Sequence, residues 1–202
     1  MTHHDVYIAH LSKDKKLKNI ITSPLSELAV TKNIALKLIG SIMSQQLSVK
    51  VADVIYNRFL QLYGGKEPRP QQILDTPPET LRSIGLSNAK VSYVQNVARF
   101  VIAEKLTDAK LRKMEDAEVL AYLTQIKGVG RWTVEMLLMF YLGREDIFAA
   151  DDLGLQTAMN KLYKLDPTDK KAYKEKLMAL SARWAPYRTH ACRYLWIWKD
   201  GK

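Results

Sequence analysis

The sequence predicts an all-α protein. Three observations carry this: apolar residues recur at three- and four-residue spacing, period-two alternation is scarce, and capping and stopping residues fall between the periodic stretches. Ile34, Leu38, Ile39, Ile42 and Met43 form one apolar stripe. After Ser48, Val51, Ala52, Ile55, Phe59 and Leu62 continue on a second, which ends before Gly64-Gly65. In "TPPETLRSIG" Thr76 can cap a short helix, Pro77 suits its first turn and Glu79 completes a capping box. Ser87 can cap the next helix, in which Val91, Val94, Val97, Ala98 and Val101 repeat. Asp116 opens a short helix towards Ile126, and Gly130 opens one over 130–142 that Gly143 stops. A further helix starts at Asp151-Asp152 and runs towards Tyr163. Asp166-Pro167-Thr168 starts a basic helix to Trp184, and Pro186 begins a last one ending near Lys199.

The 202 residues suffice for one sizeable domain or two small lobes. No repeat or low-complexity tract interrupts them. The Gly- and Pro-rich loop at 64–72 marks a division, and the expectation is one compact helical unit of two lobes. One lobe spans about 30–115; the other spans 116–202 and takes in the N-terminal segment.

Charge narrows the partner. Lys and Arg number 31 against 21 Asp and Glu, a net +10, which favours a polyanion, nucleic acid first. No apolar run approaches the eighteen or so residues of a membrane span, and "MTHHDVYIAHLSKDKK" lacks the apolar stretch of a leader. The single cysteine, Cys192, excludes an internal disulfide, a cysteine zinc site and a four-cysteine iron–sulfur cluster; it reads as a small residue packed in a helix. The four histidines form no useful cluster in the sequence, and none, His190 included, receives a role. A cytoplasmic protein with a nucleic-acid partner, and no membrane, is the expectation.

"LTQIKGVGRWTVEML" reads as helix, tight turn, helix. Gly128 and Gly130 give the turn backbone freedom, letting amide N–H groups face outwards beside the N-terminus of the second helix. With Lys127 and Arg131 alongside, this makes a cradle for a phosphate, though glycines between two packed helices also suit a plain C-cap. The Asp151-Asp152 pair about twenty residues on has two readings as well. An Asp at a helix start is most simply a cap, and two in succession leave one to cap and one to face a reacting centre.

On "LTQIKGVGRWTVEML", "IFAADDLGL" and "RWAPYRTHACRYLWIW", with support from "LIGSIMSQQLSVKVA", the chain resembles the helix-hairpin-helix DNA glycosylases of the 3-methyladenine DNA glycosylase II type. The resemblance runs from about Leu36 to Gly201 and corresponds to a short form without the family's N-terminal β domain. It implies a two-lobed helical fold with the active site in the interlobe cleft, and a monomer acting on double-stranded DNA that contains damaged bases. Base excision by a monofunctional glycosylase of alkylated purines, 3-methyladenine or 7-methylguanine, is the implied function. A glycosylase for deaminated or oxidised purines and a non-catalytic helix-hairpin-helix DNA-binding module are the alternatives.

The family's catalytic aspartate falls on Asp152, leaving Asp151 as neighbour or cap. Trp132 and Trp196 match the aromatic base pocket. Trp132 also occupies the place where strand-cutting relatives carry a lysine nucleophile, so no lyase activity is expected. Gln45, Gln46 or Ile42 would fill the gap left by a flipped nucleotide. The carbonyls of Thr124, Ile126 and Val129 match those that hold Na+ or K+ in family hairpins, although Lys127 stands where many members have proline. No other cofactor and no iron–sulfur cluster is implied.

Overall fold

The computed structural model describes residues 2–28 and 30–201 and, of Val49, the backbone alone. Among the described residues every regular element is a helix. In chain order they are α1 (His3–Leu11), α2 (Lys15–Lys18), α3 (Ile34–Ser44), α4 (Val49–Gln61), α5 (Pro70–Asp75), α6 (Pro78–Ser83) and α7 (Asn88–Ala103). Then come α8 (Asp108–Lys113), α9 (Asp116–Leu123), α10 (Arg131–Phe140), α11 (Leu153–Tyr163), α12 (Lys170–Ala182) and α13 (Arg188–Lys199).

Local chemistry sets most of these ends. Ser48 and Ser87 cap α4 and α7 through their hydroxyls, as their place before the apolar stripes predicts. At α6 the expected Thr76 cap does not form. Pro77 is the N-cap, and the Thr76 hydroxyl instead donates to the Gln72 carbonyl at 2.7 Å, closing the end of α5. α9 starts at Asp116 as predicted, with Glu115 as N-cap and Glu118 accepting from its amide at 2.8 Å. The basic helix α12 begins at Lys170 because Asp169, rather than Asp166, caps it.

The chain forms two compact units. One is Val30–Leu137; the other joins Met1–Ala29 to Leu138–Lys202. The change of unit therefore falls within α10, about twenty residues later than the boundary expected near 115. The turn at Gly128 belongs with α3–α9.

In the 30–137 unit α7 is the central helix, packed by α3, α5 and α6, with Val91, Val94, Val97 and Ala98 buried along it. From α3, Ile34, Leu36, Leu38, Ile39, Ile42 and Met43 are buried, each stabilising by about 1.5–3 kcal/mol if fully removed from water. Asp108 holds the start of α3, its two carboxylate oxygens accepting the amides of Asn33 and Ile34 at 2.7 and 2.9 Å.

In the other unit α11 packs on α13 and α2. Its polar hub is Asp14, 5% exposed. One oxygen accepts the amides of Lys16 and Leu17 and so caps α2; the other accepts the Tyr163 hydroxyl at 2.9 Å and the Trp184 indole at 3.3 Å. Burial pushes this carboxyl up, but the Leu17 amide, Tyr163, Trp184 and the Lys16 amide outweigh it and hold it below the usual carboxylate range. A depressed folded value contributes stability that is present above the unfolded pKa of about 3.9 and lost as pH falls through the folded one. Asp14→Asn is expected to cost about 2–4 kcal/mol at pH 6. The gap in Tm between it and the parent should narrow below about pH 4. Thermal melts across pH measure this directly, and a gap independent of pH contradicts the hub.

Candidate active site

The buried run Ile147, Phe148, Ala149 and Ala150 leads into Asp151-Asp152. Thr189, buried in the first turn of α13, fastens the start of this segment: its hydroxyl donates to the Arg144 carbonyl at 2.7 Å and accepts the Ile147 amide at 3.0 Å. Arg188 adds a two-pronged pair with Asp146, at 2.7 and 2.9 Å. Cys192 is fully buried with its sulfur towards the Ile147 carbonyl, the packing role its sequence context predicts.

The two aspartates divide their work differently from the expectation. Asp152 is itself the N-cap of α11, its Oδ1 accepting the Leu155 amide at 2.7 Å. Asp151 is exposed and pairs with Lys174 at 3.0 Å, so it caps nothing. Oδ1 of Asp152 also accepts the Trp196 indole N–H at 2.9 Å. Capping does not compete with a second role here, because the same bond that starts α11 orients the carboxylate.

Around this pair lie residues that the sequence did not single out. The Phe140 ring stands 6.0 Å from that of Trp196, tilted by 34°. A Cβ on Gly154 would come within 3.2 Å of Asp152 Oδ1 and 3.5 Å of the Trp196 ring, so glycine leaves the carboxylate its space. A glycine two residues after the aspartate, in the first turn of a helix, was the available signal. Trp198 is half-buried, with the Lys161 ammonium 5.0 Å from its ring centre. Asp152 and Trp196 thus meet within one unit, whereas Trp132, Lys127, Gly128, Gly130, Arg131, Gln45, Gln46 and Ile42 belong to the 30–137 unit.

In that unit the hairpin runs from α9 to α10. The Val129 amide donates to the Ile126 carbonyl at 2.9 Å, closing the turn, and Ile126 and Val129 are buried beneath it. Asn96 of α7 donates to the Lys127 carbonyl at 3.1 Å. The two glycines are not equivalent. Gly128 has φ +104°, and a Cβ there would fall 2.1 Å from Cγ of Tyr93, so α7 touches the backbone of the turn itself. Gly130 needs no left-handed backbone, and nothing stands within 4 Å of where its Cβ would be. Lys127 is exposed, while Arg131 pairs through Nε with the buried Glu135 at 2.8 Å. Trp132 is 41% exposed.

The "SQQLS" turn joins α3 to α4. Gln46 is exposed with a left-handed φ of 60°, and Gln45 is half-buried with its amide group 3.5 Å from the Thr133 hydroxyl. Ile42 is fully buried in the face of α3 and cannot reach out of the unit, which corrects its candidacy for insertion into DNA. Leu47, 36% exposed, is an apolar side chain on the outside of this turn. Lys90 braces the turn from α7, donating to the carbonyls of Met43 at 2.9 Å and Gln45 at 2.7 Å, and burial pushes its ammonium below the ordinary lysine value.

A hairpin with a glycine turn over a helix and a carboxylate held at the next helix start define a class. The chain belongs to the HhH-GPD superfamily of base excision DNA repair proteins, whose model matches residues 39–183. It is 38% identical over 162 residues to DNA-3-methyladenine glycosylase 1 of Schizosaccharomyces pombe, covering 79% of this chain and 70% of that one. The structure is similar to that of S. pombe 3-methyladenine DNA glycosylase (Mag1) in complex with abasic DNA. The TM-score is 0.83 at 34% identity, over 96% of this chain and 97% of that one. It is also similar to a DNA-3-methyladenine glycosidase from Bacillus halodurans, with a TM-score of 0.81 at 36% identity, over 98% and 89% of the two chains.

The asymmetry of the glycines is testable by stability. Gly128→Ala is expected to cost more than about 2 kcal/mol, since strain in φ adds to the clash with Tyr93. Gly130→Ala should stay within about 0.5 kcal/mol of the parent. Urea midpoints at equal m-value read both, and equal losses at the two positions contradict the packing described.

Proposed function

We infer that this protein is a monofunctional DNA glycosylase that hydrolyses the N-glycosidic bond of alkylated purines in base excision repair. The observation that carries the reading is one carboxylate, Asp152, fixed by a backbone amide and an indole N–H in a chain of the HhH-GPD superfamily. Its relatives support the substrate class, being named for 3-methyladenine, and abasic DNA, bound in the S. pombe structure, is what base removal leaves.

The chemistry explains why one carboxylate is enough. Glycoside hydrolysis commonly uses two, one to protonate the leaving group and one to support the oxocarbenium-like centre. A purine alkylated at N3 or N7 already carries positive charge and departs without a strong acid. Asp152 then has two tasks: to stabilise charge developing on the deoxyribose and to position the attacking water. An indole donor on Oδ1 holds the carboxylate in place before the charge appears, which is the preorganisation such stabilisation requires. Trp132, in the 30–137 unit, stands in the family's aromatic position. The rings of Trp196 and Phe140 suit a cationic base, each cation–π contact contributing about 0.5–2 kcal/mol. That is comparable with the few kcal/mol needed to unstack a base, a cost that is least for a damaged one.

DNA is the partner. The hairpin grips its phosphates through backbone amides, with Lys127 as the exposed cation, and Gly130 leaves open space where a phosphate oxygen must approach. Gln46, with Leu47 beside it, enters the space of the flipped nucleotide, steadied by Lys90. The carbonyls of Thr124, Ile126 and Val129 are neutral oxygens of the kind a monovalent cation takes, and Ile126 keeps a lone pair beyond its bond to Val129. Na+ or K+ held there adds positive charge facing the phosphate. The protein works as a monomer, in the cytoplasm with the DNA. No described helix is long and apolar enough to cross a membrane.

Asp152→Asn keeps the Oδ1 acceptor for Leu155 and Trp196 but removes the charge. It is expected to lower base release by at least about 10³-fold while binding to DNA stays within about threefold of the parent. Single-turnover release from methylated DNA beside an equilibrium binding titration measures both. Release at the parent rate refutes the assignment of Asp152, and loss of release together with binding points to misfolding of the α11 start instead.

A further inference from the structure

Three side chains without a part in base removal meet far from one another in sequence. His3 lies in the first turn of α1, Glu145 in the loop after α10 and His190 in the first turn of α13. One ligand atom of each lies within 4.8 Å of the other two. His3 Nε2 is 2.6 Å from Glu145 Oε1, and His190 Nε2 is 3.7 Å from the same oxygen.

His190 is the least expected member. It is 3% exposed, and neither ring nitrogen has a hydrogen-bond partner, an arrangement that buried polar groups avoid. Its ring is fixed by stacking on Tyr7 at 4.1 Å and 5°. Burial, partly offset by the Glu145 carboxylate and reinforced by Arg193 and His3, pushes it down to about 4, so it is neutral at pH 7 with a lone pair to give. A cavity of about 440 Å³ opens onto the three residues, bordered also by Thr2, Glu27 and Gly143.

We infer that His3, Glu145 and His190 form a binding site for a divalent transition-metal cation, with Zn2+ the best match, and that solvent completes its coordination. Two imidazoles and a carboxylate are a three-residue zinc donor set; Ca2+ and Mg2+ favour oxygen ligands throughout. Bonds of about 2.0–2.2 Å in a tetrahedral ion place neighbouring ligand atoms about 3.3–3.6 Å apart, between the 2.6 and 3.7 Å seen here. Small movements suffice, and the exposed His3 and half-exposed Glu145 are free to make them around the fixed His190. The ion takes the place of the hydrogen bond between His3 and Glu145. Arg193 is the adverse charge, and its Nη2 is turned to the Ser26 hydroxyl at 2.8 Å.

The site is structural in effect. The Glu145 carbonyl accepts the Thr189 amide at 2.8 Å, so a cation here fastens α1 to the segment that ends at Asp152.

The test uses the full chain stripped with chelator and then titrated with Zn2+ by calorimetry, with Co2+ absorption as a report of geometry. One equivalent should bind, Co2+ should give the intense d–d bands of a tetrahedral ion, and Tm should rise by about 5–10 °C at a hundredfold excess over Kd. His3→Gln and Glu145→Gln, both on accessible side chains, should keep the far-UV spectrum and weaken binding by at least about 10–100-fold. His4→Gln should bind as the parent does. No saturable binding by the parent overturns the proposal. So does binding that survives both His3→Gln and Glu145→Gln, or binding that His4→Gln alone removes.

Discussion

Oδ1 of Asp152 accepts the Leu155 amide and the Trp196 indole together, and this shared acceptor sets the geometry of the candidate chemistry. It joins three things: the start of α11, the side of α13 and the end of a buried segment anchored by Thr189 and Arg188. None of these supports can move without turning the carboxylate. The result is a charged group held by rigid elements rather than by a loop, as stabilisation of a brief charge on a sugar requires. Gly154 belongs to the same constraint, because any side chain there would press on that oxygen.

In the 30–137 unit the comparable constraint is contact between backbone and ring. Gly128 lies against Tyr93 so closely that only a glycine fits, and the turn is thereby fixed on α7, the helix around which that unit is built. The same helix braces the "SQQLS" turn through Lys90. Both parts of the unit that the proposed function directs at DNA therefore rest on one helix. Diffuse positive charge brings a polyanion near, but a fixed turn decides which phosphate is gripped.

The helices were legible because their signals are local. Buried faces of α3 and α7 repeat at helical spacing, and Ser48 and Ser87 are caps that need only the next three residues. Thr76 misled because its neighbour Pro77 won the cap, and the Asp166-Pro167-Thr168 start because Asp169, just beyond it, caps α12. The Gly-Val-Gly turn and the aspartate after it were visible as a pattern, yet which aspartate caps α11 was not. That outcome depends on Lys174, which draws Asp151 aside, and on Trp196, more than forty residues from Asp152. Ile42 looked like one apolar residue among others near a turn; only the packing of α3 shows that it is wholly enclosed. The meeting of His3 with His190 lies beyond any spacing rule, since the two are at opposite ends of the chain and no local pattern links them.

The proposed reaction is base removal from alkylated DNA by water alone. DNA treated with a methylating agent, incubated with the protein and scored separately for released bases and for strand scission, tests it most directly. Release of 3-methyladenine or 7-methylguanine with the strand left intact is the expected result. Salt-dependent DNA binding with no methylated base released would contradict it, and so would strand cleavage accompanying release.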